Sequence, residues 1–380
     1  MDEEQLKLAA LHFAEIPDPR IERSRQHPLV NVIVIALCAV MAEAESFYDI
    51  EAFGKIKRVW LSQFLDLKNG IPSHDTFTRV FARLEPMHFQ ACFLTWVREA
   101  IGGRLSAGDV VSIDGKRLCG SAREGVQAVH MLNVWSHQHG LCLSSTAVDG
   151  KTNEITILPG LLDTLSLLEL AGCIVTVDAL NTQREVARKL EHHGALYVMA
   201  LKENQAKLFE DVLWLFEDAH NSGFAAIPHH EFEARERGHG RVERRHCVVL
   251  SELSYLHEHH WPGLKSIAKL SRERSVKGKT SSETRYYLCS LEADAEKVWH
   301  AVRRHWQVEN KLHWTLDVVF GEDAHSYAKD HGPENMAVLR QFALNLLKRD
   351  PAKGTLKGKR KRAAWDDAFR AQLLSRLANP

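Results

Sequence analysis

The chain has 380 residues, 49 Lys and Arg against 49 Asp and Glu, 45% hydrophobic and 26% charged. This is the composition of a folded globular chain, long enough for two domains or for one large domain with an insertion, and its balanced charge excludes naming a partner from net charge alone. Seven cysteines, odd in number and never in Cys-x-x-Cys, exclude a disulfide frame or a zinc site on that spacing and point to free thiols in a reducing cytoplasm.

The start, Met1-Asp2-Glu3-Glu4, is acidic and shows no signal-peptide pattern. Pro17-Asp18-Pro19 breaks the chain before Leu29–Ala42, the longest apolar stretch, which contains Asn31 and is too short to cross a bilayer. It reads as a buried helix, and no membrane partner is expected. Apolar residues near 3.6 spacing predict a helix over Phe47–Trp60. In Ile71-Pro72-Ser73-His74-Asp75-Thr76-Phe77, Ser73 is an N-cap for a helix over Thr76–Leu84. Arg79 and Arg83 would let that helix dock on DNA; the plainer reading is a helical packing unit. Residues 1–105 are thus expected to form an α-helical N-terminal domain.

From residue 106 the pattern turns mixed. Val110–Ile113, His130–Ser136 and Leu141–Val148 read as strands, with Gln138-His139-Gly140 as the turn between the last two. Ile155–Leu170 reads as a helix interrupted near Pro159, Cys173–Val177 as a strand, Thr182–His193 as a helix and Leu196–Leu201 as a strand. Three strands, then helix, strand, helix, strand is the order of a ribonuclease-H-like mixed sheet, and other mixed α/β folds share parts of it. Residues 206–293 read as a β-rich insertion that touches nucleic acid, through Glu231–Leu250, Lys265–Leu270, the polar, basic Ser271–Arg285, and Tyr286–Cys289. Asp294–Val319 returns to helix, giving a core over 106–348. Residues 349–380 read as a basic tail: Lys348–Arg362 holds eight Lys or Arg and one Asp. An amphipathic helix, Trp365–Leu377, closes it.

Three acids stand out. Asp114 ends Val110-Val111-Ser112-Ile113, Asp178 ends Ile174-Val175-Thr176-Val177, and Glu309 lies in Trp306-Gln307-Val308-Glu309. Phosphodiester cleavage needs an activated oxygen nucleophile and a stabilised leaving oxygen, and two Mg²⁺ ions about 4 Å apart serve both. Mg²⁺ takes oxygen ligands, so Asp114 is the candidate bridging carboxylate, with Asp178 and Glu309 each holding one ion. Val302, Trp306, Glu309 and His313 recur at steps of four, three and four, on one helical face. A lone Glu there should open into a cleft, because burying an unpaired charge is costly. Each acid also has a plainer reading: Asp114 caps a turn before Gly115, Asp178 caps the next helix, and Glu309 pairs with Arg304 or Lys311. Gly115-Lys116 allows backbone and a cation to approach phosphate. Gln183 and Lys202-Glu203-Asn204-Gln205 add polar groups at the same sheet edge.

These residues carry a resemblance that runs nearly end to end. Ile16-Pro17-Asp18-Pro19-Arg20, His27-Pro28-Leu29, Gly70–Phe77, Ile113-Asp114-Gly115-Lys116, Asp178-Ala179, His305–Asn310 with Leu312-His313-Trp314, Leu316-Asp317-Val318 and Glu322-Asp323 resemble the ISAs1 transposases, the H-repeat-associated proteins among them, within the IS4-like DDE group. The resemblance implies a ribonuclease-H-like core, a catalytic and metal-binding triad of Asp114, Asp178 and Glu309, two Mg²⁺ or Mn²⁺ ions, and an insertion between the second Asp and the Glu. It implies a bacterial, nucleoid-associated protein that cuts element ends and joins them to target DNA. The wider IS4-like signature places Tyr, Arg and Lys where this chain has Val302, His305 and Leu316; His305, Lys311 and His313 are the substitutes for DNA contact. Asn181 stands where the group has His.

The candidate DNA contacts are therefore Lys116, Lys202, His305, Lys311, His313, Lys359, Arg360, Lys361 and Arg362, with Arg235–Arg245 and Arg272–Lys279 of the insertion. Asp317, Glu322 and Asp323 are reserve acids should Glu309 point away. Joining two ends calls for a homodimer on DNA, which the N-terminal domain and the apolar face of Trp365–Leu377 would build. The alternatives are a catalytically silent DNA-binding descendant and a nuclease that cleaves without joining.

Overall fold

A computed structural model describes residues 3–379 apart from 126, 149–153, 225–226, 239–240, 277–278, 325–326 and 328. Its sheet begins with β1 (Val110–Arg117), β2 (His130–Ser136), β3 (Leu141–Val148), β4 (Ile174–Val177) and β5 (Leu196–Leu201). β1, β2 and β3 form an antiparallel meander; β4 joins β1 in parallel and β5 joins β4 in parallel. These are the strands expected from the sequence, in the expected order, except that β1 runs past its expected end at Ile113, through Asp114 to Arg117. Side chains alternate across β1: Val111 and Ile113 enter a large core, whereas Val110 enters a second core on the opposite face.

The insertion extends the same sheet through β6 (His229–Gly238), β7 (Arg241–Leu250), β8 (Ser266–Val276) and β9 (Lys279–Cys289). The order is β3-β2-β1-β4-β5-β9-β8-β7-β6. Ser271–Arg285, read from sequence only as a polar, basic stretch, lies largely within the β8–β9 hairpin. Its ends carry polar side chains on both faces, so the apolar alternation that announces a strand is missing there.

Before the sheet come α1 (Glu3–Leu11), α2 (Leu29–Met41), α3 (Phe47–Ile56), α4 (Arg58–Leu61), α5 (His74–Arg83) and α6 (Pro86–Ala100). Ser73 caps α5, its hydroxyl accepting from the Thr76 N–H at 3.4 Å. Within the sheet region come α7 (Glu154–Leu165), α8 (Arg184–His192) and α9 (Ala206–Asn221). α9 adds a helix to the segment from residue 206, read from sequence as a β-rich insertion: Leu208, Val212, Leu215, Phe216 and Ala219 are its buried stripe. α10 (Ala295–His305), α11 (Trp314–Phe320), α12 (Gly332–Arg349), α13 (Leu356–Trp365) and α14 (Asp367–Ser375) complete the chain.

α10 covers the second face of the sheet, where Ala295, Val298, Ala301 and Val302 are buried against Cys247, Val249, Ala268 and Cys289. On the other side α2, apolar all round and almost wholly buried, packs on α12. The N-terminal helices therefore share one continuous core with the sheet and with the C-terminal helices.

The basic tail is corrected to a folded helical pair. α13 packs on α2, and α14 on α1 and α13. Arg360 is buried, with Nη2 donating to the Val40 carbonyl at 2.8 Å and Nη1 to that of Val319, over the Phe320 ring at 4.4 Å. Lys359 donates to the carbonyls of Leu347 (3.3 Å) and Asp350 (2.5 Å) at the end of α12, where a cation complements the helix dipole. Neither is a free surface cation. Phe369, Ala371, Leu373, Leu374 and Leu377 lie inside this chain's own core, so most of the apolar face expected as a dimer contact is already covered, although Trp365 stays exposed. Lys361 and Arg362 remain exposed.

Candidate active site

Register brings the first two acids together. Ile113 pairs with Val177 in the parallel β1–β4 ladder, so the next residues, Asp114 within β1 and Asp178 just past the end of β4, lie side by side, roughly 4.8 Å apart by strand spacing. The third acid arrives from the opposite side. After α10 the helix widens into a π-helical turn, Glu309–His313, before α11. Single π turns inside helices recur at functional sites; here Glu309 is turned outward while Leu312 and His313 stay buried. The expected single face of Val302, Trp306, Glu309 and His313 is split accordingly: Val302 and His313 are buried and Trp306 is half exposed.

Asp114, Asp178 and Glu309 line one cavity of about 480 Å³, together with Thr176, Lys202 and His305. Burial, then the charge of Asp178, and further the charges of Glu154 and Glu309, push the Asp114 carboxyl up to about 7 against the Gly115 N–H that steadies it. Asp178 is also raised by burial, against hydrogen bonds from Asn181. Neither plainer reading of these Asp residues holds: Asp114 lies inside β1, and the residue at the N-cap of α8 is Gln183, not Asp178. The Asp114 carboxylate accepts from Gly115 at 3.1 Å, but inside a strand and not at a turn. Asp178 Oδ1 accepts from the Asn181 N–H and from its Nδ2, both at 3.0 Å. Among the described residues Glu309 makes no ion pair with Arg304 or Lys311.

Glu154, which the sequence did not single out, is a fourth acid at this site. Its Oε1 meets His130 Nε2 at 2.5 Å and its Oε2 accepts from Asn181 Nδ2 at 2.5 Å. Burial would raise this carboxyl, but the hydrogen bonds of His130 and Asn181 hold it below its ordinary value. The Glu154 hydrogen bond in turn raises the His130 imidazole. Gly115 leaves room for this pair, since a Cβ there would overlap both Glu154 Oε1 and His130 Nε2 and push them aside. Asn181 thereby links Glu154 to Asp178, with its own Oδ1 buried and unbonded. A Glu in the first turn of a helix reads as a dipole partner, which hid it; the glycine after Asp114 was the available signal.

Lys116 is corrected from a DNA contact to a buried clamp. Its ammonium pairs with Asp317 at 2.6 Å and Glu322 at 2.8 Å, with Asp323 at 3.5 Å. Burial would lower it, but Glu322 and Asp317 hold it up at about 12. The reserve acids are therefore spent on this clamp. His313 is corrected likewise: it is buried, with Nδ1 3.7 Å from Asp114 Oδ2, and burial pushes it down to about 4. Behind it Asn133, opposite Asp114 in β2, accepts from Ser145 (2.8 Å) and Gln341 (3.0 Å). His305 lines the cavity but is not a cation, because burial lowers it to about 4. Its Nδ1 meets Thr176 Oγ1 at 3.0 Å, and Thr176 continues to Ser112 at 2.9 Å. Lys202 and Lys311 are exposed, and Lys202 lines the cavity.

Among the described residues no three His, Cys, Asp or Glu are set to hold a metal by themselves. The donor set nevertheless suits a hard divalent ion: oxygens only, from separate elements, around one cavity. Mg²⁺ commonly takes one or two carboxylates and completes its shell with water and substrate phosphate.

The profile of the family described as Transposase DDE domain matches residues 105–346, and that described as DDE_Tnp_1-associated matches residues 10–97. YhhI of Escherichia coli (strain K12), an H repeat-associated protein named as a transposase, is 36% identical over 98% of both chains. YncI of Escherichia coli O157:H7, also named as a transposase, is 34% identical over 96% of this chain and 93% of its own. A protein of the dhlA 3′ region of Xanthobacter autotrophicus is 40% identical over 74% of this chain and 94% of its own. Among solved structures, a piggyBac transposase synaptic complex with hairpin DNA matches at a TM-score of 0.43 and 14% identity, covering 97% of this chain and 79% of that one.

Proposed function

Because the chain belongs to the IS4-like DDE transposase family, we propose that it cuts the ends of an insertion sequence and transfers them to target DNA, using divalent metal held by Asp114, Asp178 and Glu309. The observation that carries this is the cavity those three carboxylates share. The middle of β1, the end of β4 and a π turn supply one acid each, which is how a site is built around a substrate that brings its own negative charge.

Asp114 and Asp178 present oxygens from the rigid sheet, and Glu309 closes the site from the helical side. Asn181 occupies one oxygen of Asp178, fixing how the other is aimed. Two Mg²⁺ or Mn²⁺ ions, when bound there, would activate the attacking oxygen and stabilise the leaving one. Lys202, at the cavity wall, offers a cation to the phosphate, and neutral His305 offers a hydrogen-bonding group. Paired element ends require paired sites, so the active form on DNA is a homodimer, and the place of work is the bacterial nucleoid.

The test incubates the protein with Mg²⁺ and a labelled element end. Strand transfer supports the proposal. Cleavage without joining indicates a nuclease, and binding alone indicates a silent DNA-binding descendant.

A further inference from the structure

A second pocket, of about 390 Å³, lies on the far side of Glu309, and Trp306 and Glu309 line both cavities. Its floor is the polar part of the insertion, where Arg245, Arg272 and Arg285 project beside Arg303 of α10. Arg245 and Arg272 are directly opposite each other in the β7–β8 register. Like charges in that position are unfavourable for a sheet.

The surrounding acids do not fully cover these cations. Glu283 serves both Arg272 (3.0 Å) and Arg285 (2.5 Å), Glu236 serves both Arg245 (3.2 Å) and Arg303 (2.7 Å), and Glu243 pairs with Arg245 and lies 3.7 Å from Arg274. A guanidinium has five N–H donors, so shared carboxylates leave several unused. Arg245 Nη1, although near Glu236, is buried without a hydrogen bond. The Arg285 guanidinium carbon sits over the Trp306 ring at 4.0 Å from its centre, and Arg285 lines both pockets.

We infer that this pocket is a phosphate subsite that holds the backbone of the DNA strand running from the reacting bond across the insertion. Planar forks suit phosphate oxygens, and a bound phosphate would relieve the Arg245–Arg272 repulsion and take up donors that the shared carboxylates leave unused. The inference rests on the proposed reaction for its substrate, DNA, but is tested without the reaction.

The experiment measures binding of a fluorescein-labelled duplex of arbitrary sequence in EDTA, as a function of salt, with melting curves to check folding. Arg272→Gln with Arg303→Gln should flatten the slope of log K against log salt by about two, since each lost phosphate contact removes ~0.9. Arg272→Lys with Arg303→Lys should restore it, and Arg188→Gln, on α8, should change nothing. An unchanged slope in the Gln pair overturns the inference. So does a Lys pair as defective as the Gln pair, which would assign the arginines to the sheet's own ion pairs. Wild-type protein that binds duplex with full slope but never cuts a labelled element end with Mg²⁺ sinks the reaction, and the pocket is still judged by the slope.

Discussion

Lys116 and Glu322 form a buried ion pair at 2.8 Å, with the Glu322 side chain only 2% exposed. It ties the strand that carries Asp114 to the segment that follows Glu309, 206 residues away in sequence. Asp317 and Arg340 complete the cluster, at 2.6 Å from Lys116 and 3.6 Å from Glu322 respectively. The two halves of the site are thus held by charge as well as by packing.

Lys116→Met should therefore destabilise the fold by roughly 3–5 kcal/mol, the cost of stranding one partner of a buried pair. Urea denaturation checks it. A loss under about 1 kcal/mol, typical of an exposed pair, would show that the clamp is solvated.

Glu154→Gln should leave the fold intact and lower activity and Mn²⁺ affinity about 10- to 100-fold, the usual effect of removing a group that orients metal ligands. Calorimetric titration of Mn²⁺ reads the affinity directly. Gly115→Ala should lower both activity and affinity in the same direction, because its Cβ displaces the Glu154–His130 pair. Wild-type Mn²⁺ affinity in both variants would remove Glu154 from the site.

Asp114 predicts an unusual pH response of the metal-free protein. Its carboxyl is raised to about 7 in the fold, against ~4 when unfolded. A raised acid stabilises fully below its unfolded value, and that contribution is lost as pH rises through about 7. Asp114→Asn should make the metal-free protein more stable near pH 8, by at most roughly 4 kcal/mol. Mg²⁺ should raise the melting temperature of the wild type and not of this variant. A variant less stable than wild type at that pH contradicts the crowding of carboxylates.

The basic helices separate fold from DNA contact. Lys359→Ala should lower stability, since its ammonium caps α12 and pairs with Asp350 at 3.2 Å, and should leave the salt slope of DNA binding unchanged. Lys361→Ala should leave stability unchanged and flatten the slope by about one. The opposite assignment would return Lys359 to the DNA surface.

Much of the sheet was legible because β1 to β5 are short apolar runs, and an Asp at the end of such a run has few structural uses. Glu309 was legible as a charge on an apolar stripe, although the π turn that aims it leaves no mark in residue spacing. Depth was not legible. Lys116 and Arg360 look like surface cations because their partners, Glu322 and the Val40 carbonyl, lie 206 and 320 residues away. Asn181, a departure from the group's His, gained a meaning only once Glu154 was seen on its other side. In α9 the 3.6 period was present, and the β-rich neighbourhood obscured it.

The most direct test is a strand-transfer assay with labelled element ends, Mg²⁺ and target DNA, comparing wild type with Asp114→Asn, Asp178→Asn and Glu309→Gln. Wild type should join ends to target, and each variant should bind the ends yet neither cut nor join. Joining by any one of the three variants at the wild-type rate would contradict the shared carboxylate site.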